Sequence, residues 1–518
     1  MSIAKYNLLI NSQLIDTGKY EYFPNQEKLM QRPKIVLSKI HELKSGIKVS
    51  DASEYISAIY SIADSEMNAK AIDAAFAAFK VFKGLDVGFR KNLLIAIRDA
   101  IEERGNEIIN LMMMEGLPPT IARWEFKEML NAFSERTLSF YEEQIIKRIN
   151  NEIAKETIIL YRKPDGVLGV VLPKNAPVSS SFLALFALLA GNTLVIKPPF
   201  KFPIAVLHIW QIIDKIIFEH TNITGVVNVI VGDSKEILEE WLENELIRDI
   251  LYFGNSSSGI EFGAKAFAKN KKVILELSGN DSLIVWDEAN ITRAADSFLD
   301  GFIGSSQVCM LPRTALIHSK YAKIFLDEAL KRTENHSLLP QFSDETVLSP
   351  VGNIEKFNVF LRDAIDRGAK LVRGGKRINN LGEEDPKGHY LEPTIIYLDA
   401  FQNLHKMKLY SEEAFFPLLT IVNVSGSKDD EIFQNICDLI NSSPFGLRTS
   451  IWCNNNDYIE RFINGIDNAG MIRINSKHIE FSEYLPTHGG VRLTGGPYGG
   501  LNYLWERTSH LQGISIKT

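Results

Sequence analysis

A chain of 518 residues is too long for one small hydrophobic core and predicts two or three domains. Its 45% apolar and 23% charged residues are those of a globular protein, and a net charge of -7 with no long basic block argues against a nucleic-acid surface. Three cysteines, at 309, 437 and 453, cannot build a disulfide framework and point to a reducing compartment, so the expected location is cytoplasmic. The N-terminal MSIAKYNLLINSQL carries neither the apolar core nor the small-residue cleavage site of a secretion signal. The most apolar run, Phe182 to Ile196, is cut by Gly191-Asn192 and is too short for a membrane span.

In chain order, residues 6–16 read as a hairpin turning at Asn11-Ser12. Residues 25–65 are polar, with helical segments expected near Ile35–Leu43 and Glu54–Ile62. From Asn68 to Glu143 the apolar spacing is helical, with Ile72, Phe76 and Phe79 on one face and Leu93, Ile97 and Ile101 on another. Residues 145–163 read as two strands around Asn150-Asn151, an exposed ribbon that needs covering. Strands then alternate with helices. The strands are expected at 166–172, 192–197, 225–231, 248–253 and 271–277, and the helices at 178–190, 202–220, 234–243 and 259–268. Such alternation predicts a doubly wound parallel sheet with ligands at the carboxyl ends of its strands. Past Gly279 a second alternating block (SLIVWD, LTIVNV, TSIWCN, MIRINS) predicts a second α/β domain, and the Gly-rich tail ends in a strand-like GISIKT.

Chemistry concentrates in 271–309. Glu276 stands at the polar end of an apolar run, and Cys309 closes a Gly/Ser-rich stretch that is poor sequence for a core strand. A thiol nucleophile with a carboxylate held apart from it suits covalent catalysis followed by attack of water. Taken alone, each residue has a plainer reading. Glu276 could be a salt-bridged strand end, Cys309 a small buried hydrophobe, Asn175 a helix cap and Lys197 an exposed lysine. Cys437 and Cys453 read as packing. Gly254-Asn255, with Gly259 after them, follow a strand and open a helix, where backbone N–H groups suit a phosphate.

Together these stretches resemble the aldehyde dehydrogenase superfamily. ELSGND (276–281) resembles its E-L-G-G-K/N, FIGSSQVC (302–309) its F-x-N-x-G-Q-x-C, and Pro173-Lys174-Asn175 its P-W-N. Lys197-Pro198-Pro199-Phe200 resembles K-P-S/A-E, residues 254–259 resemble G-S-x-x-x-G, and Glu412-Glu413-Ala414-Phe415-Phe416-Pro417 resembles E-E-x-F-G-P. The resemblance covers roughly 66–518. It implies a Rossmann-type cofactor domain (1–144 and 164–278, with 25–65 as an atypical elaboration) and an α/β catalytic domain (279–485). It also implies a β oligomerisation arm with the C-terminal tail (145–163 and 486–518).

The implied activity is oxidation of an aldehyde to an acid with NAD or NADP through a cysteine thioester. Cys309 would be the nucleophile, with a thiol more reactive than an ordinary one, Glu276 the base, and Asn175 an oxyanion donor. Lys174, Lys197, Gly254, Asn255, Gly259, Glu413 and Phe415 would hold the cofactor. No metal is implied, and a homodimer or homotetramer is expected. The family's ribose-binding glutamate is Phe200 here, which leaves NADP open. Worn motif positions at 174, 200, 278, 304, 306 and 416 keep two alternatives in view: a CoA-acylating enzyme or acyl-CoA reductase, and a non-catalytic cofactor-binding homologue.

Overall fold

A computed structural model describes residues 3–335, 347–485, 489–497, 499–500 and 503–517. Two seven-stranded sheets organise it. In the first, Lys272–Glu276, Ile247–Phe253, Val167–Val171, Thr193–Lys197 and Val227–Val229 lie side by side and parallel. The hairpin Leu8–Ile10 and Gln13–Ile15 closes the edge antiparallel, turning at Asn11 and Ser12, whose φ values are 52° and 61°. The strand order reverses between Val167–Val171 and Ile247–Phe253. Two neighbouring strands whose following helices cross to opposite faces leave a crevice at their carboxyl ends.

The crossovers fall where the periodicity places them: Pro177–Ala190, Ile204–Thr221, Ser234–Glu243 and Ser256–Ala268. Pro177–Ala190 is buried on nearly every face, starts with Pro at its first position and ends at Gly191, where φ is 105°. Sheet-to-helix packing is tight. A Cβ on Gly169 would lie 2.6 Å from the Trp241 ring, so Gly169→Ala would force that fully buried indole out of place.

The second sheet runs Lys370–Arg373, Thr394–Leu398, Leu418–Val424, Pro312–His318, Asp281–Val285, Arg448–Trp452, Met471–Ile474, antiparallel only at its first pair. The ribbon Ile146–Asn151 and Glu156–Pro164 is joined by Ser509–Lys517, so the C-terminal strand completes a three-stranded arm. Its turn lies at 152–155 rather than at Asn150-Asn151, because both asparagines still pair across the ribbon.

The N-terminal elaboration also departs from expectation. Pro33–Lys44 is the helix foreseen near Ile35–Leu43, but Ile56–Ser61 is a strand, not part of a helix. It lies between Ala4–Tyr6 and Tyr20–Pro24 and alternates its burial along the strand. Short-range periodicity over ISAIYS fits either element; pairing partners distant in sequence decide it. No helix among the described residues is long and apolar enough to cross a membrane.

Candidate active site

A single cavity of about 1260 Å³ opens along the switch-point crevice and runs between the two sheets. Lys174, Asn175 and Lys197 reach it from strand ends of the first sheet, and Gly254 and Asn255 from the turn after Ile247–Phe253. Glu276, at the carboxyl end of Lys272–Glu276 in the same sheet, lines it too, as do Cys309, Glu413 and Phe415. Gly259 does not reach the wall. A Cβ there would fall 2.3 Å from Leu277 Cδ2, so the glycine lets Ser256–Ala268 sit close on the sheet and contacts no ligand space.

Cys309 comes after an irregular turn, Asp300–Ser306, in which Gly304, Ser305 and Ser306 all have left-handed φ values of 62°, 55° and 57°. Two consecutive serines in that region carry strain of about 1–3 kcal/mol each. Local hydrogen bonds hold them there: Ser305 Oγ donates to the Ser349 carbonyl and Ser306 Oγ to the Gly301 carbonyl, both at 2.6 Å. The Arg313 guanidinium, 2% exposed, fastens the end of this turn and the segment leading to the thiol. It donates to the carbonyls of Ser306 (2.9 Å), Val308 (2.9 Å) and Ala414 (2.7 Å), and to Glu413 Oε1 at 3.1 Å.

Gly279 brings the glutamate strand to the cysteine loop. A Cβ there would lie 2.3 Å from the Cys309 carbonyl oxygen, so no larger residue permits that approach. Glu276 is 4% exposed at the end of its strand. The glycine-rich segment near 489–500 covers it: Leu277 N–H donates to the Thr494 carbonyl at 2.9 Å, and a Cβ on Gly500 would approach Glu276 Oε2 to 3.3 Å.

Burial, then the carboxylates of Glu276, Glu413 and Asp281, push Cys309 well above the ordinary thiol value, and Arg313 offsets part of this. An acid thiol needs a nearby cation or helix N-terminus in excess of anions; here the anions outnumber the one opposing guanidinium.

Lys197 is 2% exposed, donates to the Pro198 carbonyl at 3.1 Å and is pushed down to about 8 by burial. Lys174 is also lowered by burial and then by Lys201, and its Nζ sits 4.3 Å over the Phe202 ring. Phe200 lines the cavity between these lysines. Asn255 caps its helix by accepting from Ser258 N–H at 2.9 Å, and the helix N-terminal Ser256 and Ser257 line the cavity. Cations and a helix N-terminus lining one cavity fit a dinucleotide's phosphates. Among the described residues no cluster of three metal-ligating side chains exists.

Comparison with known proteins settles the lineage. The model of the aldehyde dehydrogenase family matches residues 44–513. The chain belongs to the aldehyde dehydrogenase family. Its relatives include a lactaldehyde dehydrogenase of Methanocaldococcus jannaschii, 26% identical over 456 residues, covering 86% of this chain and 92% of that protein. A putative aldehyde dehydrogenase of Bacillus subtilis is 28% identical over 464 residues, covering 88% and 90%. A solved structure of a glyceraldehyde-3-phosphate dehydrogenase from Methanocaldococcus jannaschii, complexed with NADP, superposes with a TM-score of 0.74 at 25% identity, covering 88% and 95%. This aldehyde dehydrogenase is therefore an oxidoreductase that oxidises an aldehyde with NAD or NADP, and the aldehyde dehydrogenase fold accounts for both sheets and the arm.

Several site residues of this aldehyde dehydrogenase have no signal in the sequence. Arg313 reads as an ordinary strand residue until its partners 100 positions away are placed beside it. Glu125 reads as a helix charge, yet it is 3% exposed, accepts from Ser179 N–H at 2.8 Å and is pushed up to about 7 by burial. Beneath the cysteine lies a buried chain of polar groups. His478 bonds Asp281 Oδ2 at 3.1 Å and Ser450 Oγ at 2.8 Å, and Arg448 donates to the carbonyls of His478 and Glu480.

Proposed function

We propose that Cys309 is the nucleophile of this aldehyde dehydrogenase, Glu276 its base and Asn175 one half of the oxyanion hole. The observation that carries the reading is convergence: segments around 175, 276 and 309, separate in sequence, line one cavity together with the lysines and the residues of the helix N-terminus. Cys309 Sγ, once deprotonated, forms the C–S bond while the carbonyl electron pair moves to oxygen. The Asn175 amide and the Cys309 N–H hold that oxygen; removing one such donor costs about 2.7–4 kcal/mol in comparable sites. NAD or NADP, when bound, accepts the hydride. Glu276 takes a proton from water as it adds to the thioester, and the thiolate leaves as the acid forms. Lys174, Lys197, Gly254, Asn255, Glu413 and Phe415 would bind the cofactor; Glu413 must do so with one oxygen already accepting from Arg313 and Gly279 N–H.

The same reading divides the chain into a cofactor domain around the first sheet, a catalytic domain around the second, and the arm. Homo-oligomerisation through the arm is supported by Ile149, Ile153 and Leu511, which are exposed on it at 52%, 99% and 54%. The three thiols, none in a disulfide, are consistent with a cytoplasmic protein. The relatives named lactaldehyde dehydrogenases make a neutral hydroxyaldehyde a natural first substrate to try. The test is Glu276→Gln under pre-steady-state conditions, with and without CoA. The expected result is a retained burst of NAD(P)H with very slow turnover after it. Loss of the burst would reject Glu276 as a base acting after hydride transfer, and turnover that requires CoA would change the acceptor.

A further inference from the structure

The turn that leads to Cys309 is propped by residues 347–350. Gly304 N–H donates to the Val347 carbonyl at 2.8 Å, and Ser349 N–H donates to Ser305 Oγ at 2.8 Å. Gln307 Nε2 donates to the Pro350 carbonyl at 2.9 Å. With the bond from Ser305 Oγ to the Ser349 carbonyl, this segment follows the turn from Gly304 to Gln307. Left-handed serines persist only where their surroundings over-determine them, so a prop that shifts lets the turn shift.

Residues 347–350 belong to no helix or strand, so packing must fix them. Leu348, 1% exposed, clusters with Ile378 and Tyr390, which lie on the paired strands Arg377–Ile378 and Tyr390–Leu391. Val347 and Met30 pack against this cluster, and the Tyr390 hydroxyl donates toward Met30 Sδ at 3.8 Å. Among the described residues, Met30 is the N-terminal elaboration's member of the cluster. It sits on the helix Gln26–Gln31, ahead of residue 44, where the match to the family begins.

The helix is rooted elsewhere. Leu29, next to Met30, packs instead into the elaboration's own small core of Val36, Ile40 and Ile56. Ile56 opens the strand Ile56–Ser61, and that strand is tied to the first sheet. The Tyr60 hydroxyl donates to the Phe200 carbonyl at 2.8 Å, and Ala63 N–H, just beyond the strand, donates to the Val231 carbonyl at 2.7 Å. Around Met30 the boundary between the helix and the paired strands is polar and open: Glu27, Gln31, Asn379, Asp385 and Lys387 line a cavity of about 390 Å³ there. Solvated polar groups hold two surfaces together weakly, so the apolar contact of Met30 does most to dock the helix.

Resting on the assignment of Cys309 as nucleophile, we propose that the N-terminal elaboration is a strap from the first sheet to the cysteine turn, with Met30 as a positioning residue for aldehyde oxidation. Met30 does not line the active-site cavity. It acts through Leu348 and its neighbours on the hydrogen bonds that hold Gly304, Ser305 and Gln307, and so on where Cys309 Sγ stands. Misplacing a reacting group by about 1 Å can cost about a hundredfold in rate; Arg313 and the Ser306 hydroxyl still hold the turn, so loss of Met30 should cost about tenfold.

The experiment uses the full-length enzyme, with wild type, Met30→Ala, Met30→Gln, Met30→Leu, Ser305→Ala, the double variant Met30→Ala/Ser305→Ala, and Cys309→Ala. It reads kcat and KM for lactaldehyde and for NADP, the urea midpoint, and the rate at which iodoacetamide alkylates Cys309 without substrate, mapped by mass spectrometry. Met30→Ala should lower kcat about tenfold and change the alkylation rate about threefold or more, while KM for NADP stays within about twofold. Met30→Leu, which restores an apolar contact, should recover both. Met30→Gln keeps the side chain's length without its apolar end and carries the same comparison if Met30→Ala does not fold. In the double variant the losses should not multiply, because both changes weaken one prop. A lower urea midpoint with unchanged kcat and alkylation would show a merely structural role and overturn the proposal. So would losses that multiply, or a change confined to KM for NADP, which would place the effect at Phe200. The alkylation rates decide the matter even if lactaldehyde is not oxidised. Retained activity in Cys309→Ala would instead overturn the assignment on which the proposal rests.

Discussion

Arg313 offers the sharpest test of how the cysteine loop is held. In Arg313→Met the side chain keeps its length and apolar stem but loses every donor. Three backbone carbonyls and Glu413 Oε1 then lose a partner in a region where Arg313 is 2% exposed and the Glu413 side chain 14%. Breaking a buried ion pair from one side costs about 3–5 kcal/mol, and each orphaned buried carbonyl about 1–3 kcal/mol when it cannot relax. Because these groups share one network, the terms overlap. The expected loss is about 4 kcal/mol, a figure set mainly by the stranded carboxylate. The assay is urea denaturation of wild type, Arg313→Met, Glu413→Gln and the double variant. If the carboxylate dominates, the double variant should be at least ~1.5 kcal/mol more stable than the sum of the single losses. A loss below ~1 kcal/mol, or additivity within ~0.3 kcal/mol, would refute the argument that Arg313 neutralises Glu413 and fastens the loop.

The raised thiol makes a kinetic statement: alkylation of Cys309 by iodoacetamide should keep accelerating past the ordinary thiol range of about pH 8.5, and a plateau near pH 7 would contradict the burial argument. Cys437 and Cys453 are 2% and 0% exposed and should label only after unfolding. With Phe200 in place of a ribose-binding carboxylate and Lys174 and Lys201 near one another, NADP should be accepted, and Phe200→Glu should raise the ratio of NAD to NADP efficiency; a hundredfold wild-type preference for NAD, unmoved by the change, would place the choice elsewhere. Glu115 accepts from Ile204 and Ala205 N–H groups, yet burial pushes it up to about 7. The folded state then holds this proton where the unfolded chain has released it, so stability falls as pH rises from about 4.3 to 7, by on the order of 3 kcal/mol. The stability difference between wild type and Glu115→Gln, tracked from pH 4 to pH 8, should decline by that order, and a flat difference would sink the assignment.

The sequence by itself determined the two alternating α/β blocks and the entry hairpin. Those signals are local. Strand and helix periods, a glycine at a turn and a cap before a helix act within a few residues, and Glu276, Asn175 and Cys309 stand in short motifs, the first at a strand end and the last after a turn. The tertiary structure alone decided whatever depends on company from afar. Ile56–Ser61 became a strand because Ala4–Tyr6 and Tyr20–Pro24 offered it ladders on both sides. Gly259 proved to be a packing glycine because Leu277 leaves no room for a Cβ. Burial and then the carboxylates of Glu276, Glu413 and Asp281 raise the Cys309 thiol, and folding alone supplies both. Ionisation answers to burial and to the sum of neighbouring charges, and neither quantity exists until separate segments of the chain are packed together.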